Sequence, residues 1–363
     1  MTIEQFYELM DRAYDLPHSP EQVALLEEAV RLADSLNDER AGFEARMELI
    51  DAAEWSGFDV QAIVAFSWCL AYMDRNPDAV DEGGVMWRYK WILCSVCDND
   101  AIAKQQIRNM VEDFERRCHV SGWSIRSAHY LRWKTLSIMG ELKEALPSYE
   151  LWQTTPRDDM SDCAACELDS QITFKLRFGE QEEAVELAKP ILNGKMTCSD
   201  VPAITYANLL NPLTNLNRAA EAQEIHNKGL PLVANDGHHL APLTDHLLYL
   251  IKTGDLSKAL TVFQRHVPLV AASRIPFSRF FFFLASWRLM EKLSQAESRH
   301  KTRKLSIPRE LSCYREDHTY DLAALSEWFG FETRQLADKF NQRNGNDYFN
   351  KIIEQNAQAA TYK

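Results

Sequence analysis

Apolar residues recur every three to four positions along almost all of the 363-residue chain, the period of an amphipathic helix. The opening stretch, "MTIEQFYELMDRAYDL", shows the pattern, with acids set between the apolar positions. One stretch departs from it. Around "SRFFFFLASWRL", residues 278–289, Phe277, Phe280, Phe281 and Leu284 form one helical stripe, while Phe282, Phe283, Leu289 and Met290 lie round the side. A helix apolar on two sides belongs between neighbours. A membrane is the competing explanation. Only the segment "FFFFLASW" separates Arg279 from Arg288, against the ~20 apolar residues a spanning helix needs.

A repeated pattern supplies the neighbours. A turn residue followed five positions later by alanine occurs in "GFDVQA" from Gly57, "GELKEAL" from Gly140, "GEQEEAV" from Gly179, "NRAAEA" from Asn217 and "GDLSKAL" from Gly254. Weaker instances start at Ser19 and Asp98. The intervals are about 40 residues, which reads as a helical solenoid. Gly or Asn tolerates the left-handed conformation that stops the first helix, and the small alanine lets the second helix approach closely. In the first unit Ser19 caps a helix, Pro20 takes its first position and Gln22 completes a capping-box-like pattern.

The spacings Gly140/Ala145/Tyr149 and Gly254/Ala259/Phe263 resemble the tetratricopeptide repeat family over roughly residues 19–295. The chain departs from that pattern in its longer interval, and in Trp133, Ile172, Leu210 and Leu247 where a small residue is expected. "PRDDMSDCAACELDSQ" and "TGDLSKALTVFQRHVPL" also look like uncharacterised bacterial repeat proteins. The expected fold is therefore all-α: an α-solenoid of about seven antiparallel helix pairs over 1–295, a basic linker over 296–318 and a C-terminal helical cap over 319–363. The cap would shield the last unit, whose face a terminal repeat otherwise exposes.

Composition narrows the function. A net charge of −13 repels nucleic acid unless basic residues are segregated. The segment "LAALSEWFGFETRQLADKF" resembles a helix–turn–helix with Gly330 at the turn, but Glu327, Glu332 and Asp338 would oppose phosphates. The N-terminus has no basic, apolar and small-residue succession of a secretory leader, and the scattered cysteines fit a reducing compartment, so a cytoplasmic location is expected. No GxSxG, HExxH or Gly-rich phosphate loop is present, and a non-enzymatic role without a cofactor is expected.

Two clusters carry alternative chemistry. Cys94/Cys97 and Cys163/Cys166 are CxxC pairs too far apart in sequence for the usual zinc spacing. Cys163 and Cys166 open a helix behind the cap candidates Ser161 and Asp162, with Cys198 opening the corresponding helix of the next unit, so a zinc or thiol function is weighed there against small packing cysteines. "NDGHHLAPLTDH" offers His238, His239, Asp245 and His246, with His239 and His246 able to share a helix face.

The leading expectation is a scaffold or regulator that binds a protein or peptide, without a membrane partner and with nucleic acid disfavoured; a DNA-linked regulator acting through the C-terminal helices is kept as an alternative. The family resemblance implies that the first helix of each unit lines the binding face. It assigns Arg88, Tyr130, Asp169, Ala207 and Thr244 to one groove-facing place and Ile92, Lys134, Thr173, Asn211 and Leu248 to another, with Asn208 beside them.

Overall fold

The computed structural model describes residues 2–234, 239–296 and 302–359. The chain divides into two compact units: Met1–Ser161 with Ser273–Pro276 and Gln342–Asn346, and Asp162–Ala272 with Phe277–Asn341 and Asp347–Lys363. The first contains α1 (Ile3–Tyr14), α2 (Pro20–Leu36), α3 (Glu39–Ser56), α4 (Asp59–Arg75), α5 (Glu82–Ser95), α6 (Lys104–Ser121), α7 (Arg126–Ile138) and α8 (Leu142–Thr154). The second holds α9 (Ala164–Arg177), α10 (Gln181–Leu187), α11 (Lys189–Leu192), α12 (Ala203–Asn215), α13 (Ala219–Val233), α14 (Leu240–Lys252), α15 (Leu256–Ala272) and most of α16 (Pro276–Ala296). There follow β1 (Thr302–Lys304), β2 (Thr319–Asp321), most of α17 (Leu322–Asn344) and α18 (Tyr348–Ala359). The described residues are all-helical apart from this one small hairpin. Among the described residues no helix is long and apolar enough to cross a membrane.

The turn landmarks act as their residue types dictate. Gly57, Gly140, Gly179, Asn217 and Gly254 all have φ between 58° and 83°. Just beyond each, a backbone N–H reaches back five residues to the end of the helix: Phe58 to Ala53, Glu141 to Leu136, Glu180 to Lys175, Arg218 to Leu213 and Asp255 to Leu250. This left-handed stop satisfies carbonyls that a helix end leaves open. Ala62, Ala145, Ala184, Ala222 and Ala259 are all buried. The two weaker instances differ, since Ala24 and Ala103 are exposed. At the first of them Ser19 does cap α2, accepting from the Gln22 N–H at 3.2 Å, but the Gln22 side chain donates to the carbonyls of Ala13 and Leu16 rather than closing a capping box.

Neighbouring helices pack in chain order within each unit, and alternate ones also meet. In the first unit α3 touches α5 and α5 touches α7; in the second α9 touches α12 and α12 touches α14. Trp133, standing where a small residue was expected, is filled in by aromatic packing: its ring meets Tyr149 at 5.7 Å and Trp152 at 6.0 Å across α7 and α8. Ile172, Leu210 and Leu247 are likewise core residues.

The phenylalanine run lies inside the second unit. Phe282 and Phe283 face a core shared with Phe263 and Phe329, at ring distances of 6.0 and 5.5 Å respectively. Phe280 and Leu284 face a separate cluster with Ala337, Phe340 and Phe349. Thus α16 is sandwiched, and each fully buried phenylalanine contributes about 1.5–3 kcal/mol by leaving water.

Two expectations for the C-terminal region are corrected. The segment read as a basic linker contains β1, which pairs antiparallel with β2 in the register Thr302↔Asp321, and its Leu305, Ile307 and Leu311 are buried. Residues 297–301 of that segment lie outside the described residues. Its positive charge masked a short alternation in which Leu305 and Ile307 turn inward while Lys304 and Ser306 face out. Gly330 is not at a turn: it lies within the continuous α17, where a Cβ would stand 2.8 Å from the Trp287 ring. Glycine there serves close packing rather than a change of direction.

Candidate functional site

The residues expected to line a groove are mostly bonded to neighbouring helices. Arg88 on α5 makes a two-pronged contact with Asp51 on α3, from Nε at 2.7 Å and from Nη2 at 2.5 Å. Tyr130 is buried against Trp152, and Lys134 Nζ donates to its hydroxyl at 3.2 Å. Burial and then Asp59 push the Asp98 carboxyl well above its usual range, while Lys134 pulls it back. In the second unit Thr205 donates to Asp169 at 2.6 Å, Asn208 to Thr173 at 3.4 Å, and Lys252 to Asn211 at 2.7 Å. These bonds run between helices that succeed one another as first members of a pair. Thr244 is 1 % exposed and donates to the Leu240 carbonyl of its own helix. Ile92 and Ala207 are buried.

Two of these positions, Asn211 and Leu248, open onto a cavity of about 210 Å³ in the second unit. Its walls come from α12, α14, α16 and α18, the last through Ile352, Gln355 and Asn356. The polar groups are unevenly matched. Lys252 is shared by Asn211 and Asn215, and burial lowers its pKa. Arg288 bonds Glu291 and the Ile353 carbonyl, each at 3.2 Å. Asp245 has no hydrogen-bond partner among the described residues, and burial raises its carboxyl pKa to about 7. A carboxyl in a concave, partly apolar site with a pKa near neutrality makes this cavity the candidate site. The signal for it was visible in "LAPLTDHLLYLIK", where Asp245 is the one acid of a largely apolar helix.

The neighbouring histidines do not form a shared site. His238 lies outside the described residues. His239 precedes α14 and stands 3.6 Å from Asp200, while His246 is buried against His226, Nδ1 to Nδ1 at 3.0 Å. His226, on α13, was not anticipated, because its partner is 20 residues away on another helix.

The cysteines separate into two kinds. Cys69 and Cys118 are buried in the first unit, with thiols pushed up to about 12 chiefly by burial, and burial also raises the Cys97 thiol well above its ordinary range. Cys163, Cys166 and Cys198 instead gather in the second unit, their sulfurs all within 4.8 Å of one another. Cys163 itself is the N-cap of α9, accepting from the Cys166 N–H at 3.4 Å, so the expected cap at Ser161 or Asp162 is displaced to the cysteine. Among the described residues this is the one group of His, Cys, Asp and Glu side chains close enough to share a metal ion.

No protein-family model matches the chain, and no curated protein matches it.

Proposed function

We propose that the protein is a non-enzymatic helical-repeat binding module of tetratricopeptide-like design, acting in the cytoplasm, whose second unit takes up a basic side chain of a protein or peptide partner. The carrying observation is the cavity: α12, α14 and α16 supply one wall each, and Asp245 stands in it with no hydrogen-bond partner among the described residues, while Lys252 and Arg288 of the same lining are engaged by Asn211, Asn215 and Glu291. The left-handed turns and buried alanines of α3/α4, α7/α8, α9/α10, α12/α13 and α14/α15 support reading the helix pairs within each unit as repeats.

A lysine or arginine head placed against Asp245 would stabilise the carboxylate, so binding releases a proton at neutral pH. The site is large enough for one long side chain, whose apolar stem would lie along Leu248 and Ile352. Asn211 and Asn208 would hold the peptide backbone beside it, and Arg88, Tyr130, Lys134, Asp169 and Thr173 would contribute mainly by bracing successive helices. That last assignment modifies the direct contact expected of them.

Fluorescence anisotropy of a lysine- and arginine-bearing peptide library against the full chain tests the reading. Binding is expected to strengthen from pH 6 to pH 8 and to weaken about tenfold in Asp245→Asn, the loss of about 1.4 kcal/mol. Equal affinity for the wild type and the variant would remove the cavity from the binding face.

A further inference from the structure

Three sulfurs from two separate segments of the second unit converge. Cys163 and Cys166 begin α9; Cys198 lies in the loop before α12. Cys166 Sγ and Cys198 Sγ are 3.2 Å apart, and all three sulfurs fit within 4.8 Å. In a tetrahedral zinc site, with Zn–S bonds of about 2.3 Å, sulfurs stand about 3.8 Å apart. The observed spacing brackets that value, so one ion is accommodated by small side-chain rotations.

The backbone is also arranged for thiolates. The Cys166 N–H donates to Cys163 Sγ and the Val201 N–H to Cys198 Sγ, each at 3.4 Å and each from three residues further on. The same local bond thus recurs at two unrelated places in the sequence. A sulfur that accepts hydrogen bonds is a better anion, and the N-terminal end of α9 adds a favourable dipole at Cys163. Crowded sulfurs oppose one another's ionisation until a cation joins them.

Simple core packing does not account for the arrangement, because Cys163 is exposed whereas Cys69, Cys97 and Cys118 are buried. We infer that Cys163, Cys166 and Cys198 form a three-thiolate site for one zinc ion, with its fourth position open to solvent or to an incoming ligand. Zinc binding displaces the thiol protons to solvent, up to one from each sulfur, and changes no oxidation state. The inference is independent of peptide binding at Asp245: its failure leaves that reading untouched.

The test uses the full chain, reduced and stripped of metal, titrated with zinc against a chromophoric chelator, with metal content measured by mass spectrometry after desalting. One zinc per chain is expected, and cobalt in its place should give thiolate-to-metal charge-transfer absorption. Cys163→Ser keeps an N-cap for α9, so folding is preserved. It should bind zinc at least roughly tenfold more weakly, the lower end of what even supporting residues of metal sites contribute. Cys198→Ser should do the same, and Cys313→Ser, at a half-buried cysteine packed on the second unit's core outside the cluster, should match the wild type. Absence of stoichiometric zinc, or equal uptake by Cys163→Ser and the wild type, would overturn the site. So would a Cys166–Cys198 disulfide in protein isolated without reductant that takes up no zinc after reduction.

Discussion

The rings of His226 and His246 meet inside the second unit with their Nδ1 atoms 3.0 Å apart, one donating to the other. Both are almost fully buried. Burial, and then His226, lower the His246 pKa to about 3; burial and Lys258 lower that of His226, partly offset by Asp255. Both imidazoles therefore stay neutral in the folded state at pH values where the unfolded chain takes up protons. For His246 that contribution is complete above the unfolded value of about 6.5 and is lost as pH falls toward 3, at about 1.4 kcal/mol per pH unit, and His226 acts in the same direction. His246→Phe should consequently be less destabilised, relative to wild type, at pH 5 than at pH 7. Urea denaturation at the two pH values measures this; a pH-independent difference would contradict it.

Asp245 titrates in the opposite sense. Its folded pKa of about 7 exceeds the unfolded value, so the folded state holds its proton where the unfolded chain has released it. The wild type then loses stability as pH rises from about 4 to about 7, by about 1.4 kcal/mol per pH unit from this group. Asp245→Asn should gain on the wild type across that window and hold its advantage at pH 8. Thermal denaturation at pH 5 and pH 8 gives the comparison, and an advantage confined to pH 5 would reverse the assignment.

Gly330 touches Trp287 closely enough that a methyl group has no room: three ring carbons would lie at 2.8 to 3.2 Å from a Cβ. Alanine ordinarily strengthens a helix interior, so helix propensity alone predicts stabilisation. The contact predicts the reverse. Gly330→Ala should lose about 1–3 kcal/mol, and the loss should shrink in a Trp287→Ala background. A double-mutant cycle on the urea midpoint reads the coupling directly.

Phe340 and Phe349 stack with centroids 4.5 Å apart and ring planes 9° from parallel, against the outer side of α16. Asn341 secures the same turn by accepting from the Phe349 N–H at 2.9 Å. Phe349→Ala should cost about 3–5 kcal/mol, the range for a fully buried phenylalanine. If α18 were a loosely attached tail, the change would leave the denaturation midpoint in place.

Local chemistry made much of the architecture legible. Each strong turn landmark needed only a residue that tolerates positive φ, followed by a small one, and both requirements are met within six residues of sequence. The two-sided apolar character of α16 was legible for the same reason, since helical periodicity is a local property. The Ser19 and Asp98 landmarks lacked a glycine or asparagine stop, and their alanines proved exposed. The hairpin at 302–321 was obscured because its strands are three residues each and their partners are distant in the chain. Gly330 was misread because a glycine that admits a neighbouring ring looks, in sequence, like one that turns the chain.

Amino-acid order by itself determined that this chain is helical, where most of its repeated helices stop, and which side chains supply acid, thiol or imidazole. Tertiary structure alone decided which of those groups face each other: His246 went to His226, Cys198 to Cys166, and Asp245 to a cavity closed by α18. Helix stops depend on steric and hydrogen-bonding limits within a few residues. Long-range pairings depend on how packed helices turn their faces, and a rotation by one residue redirects every side chain by about 100°.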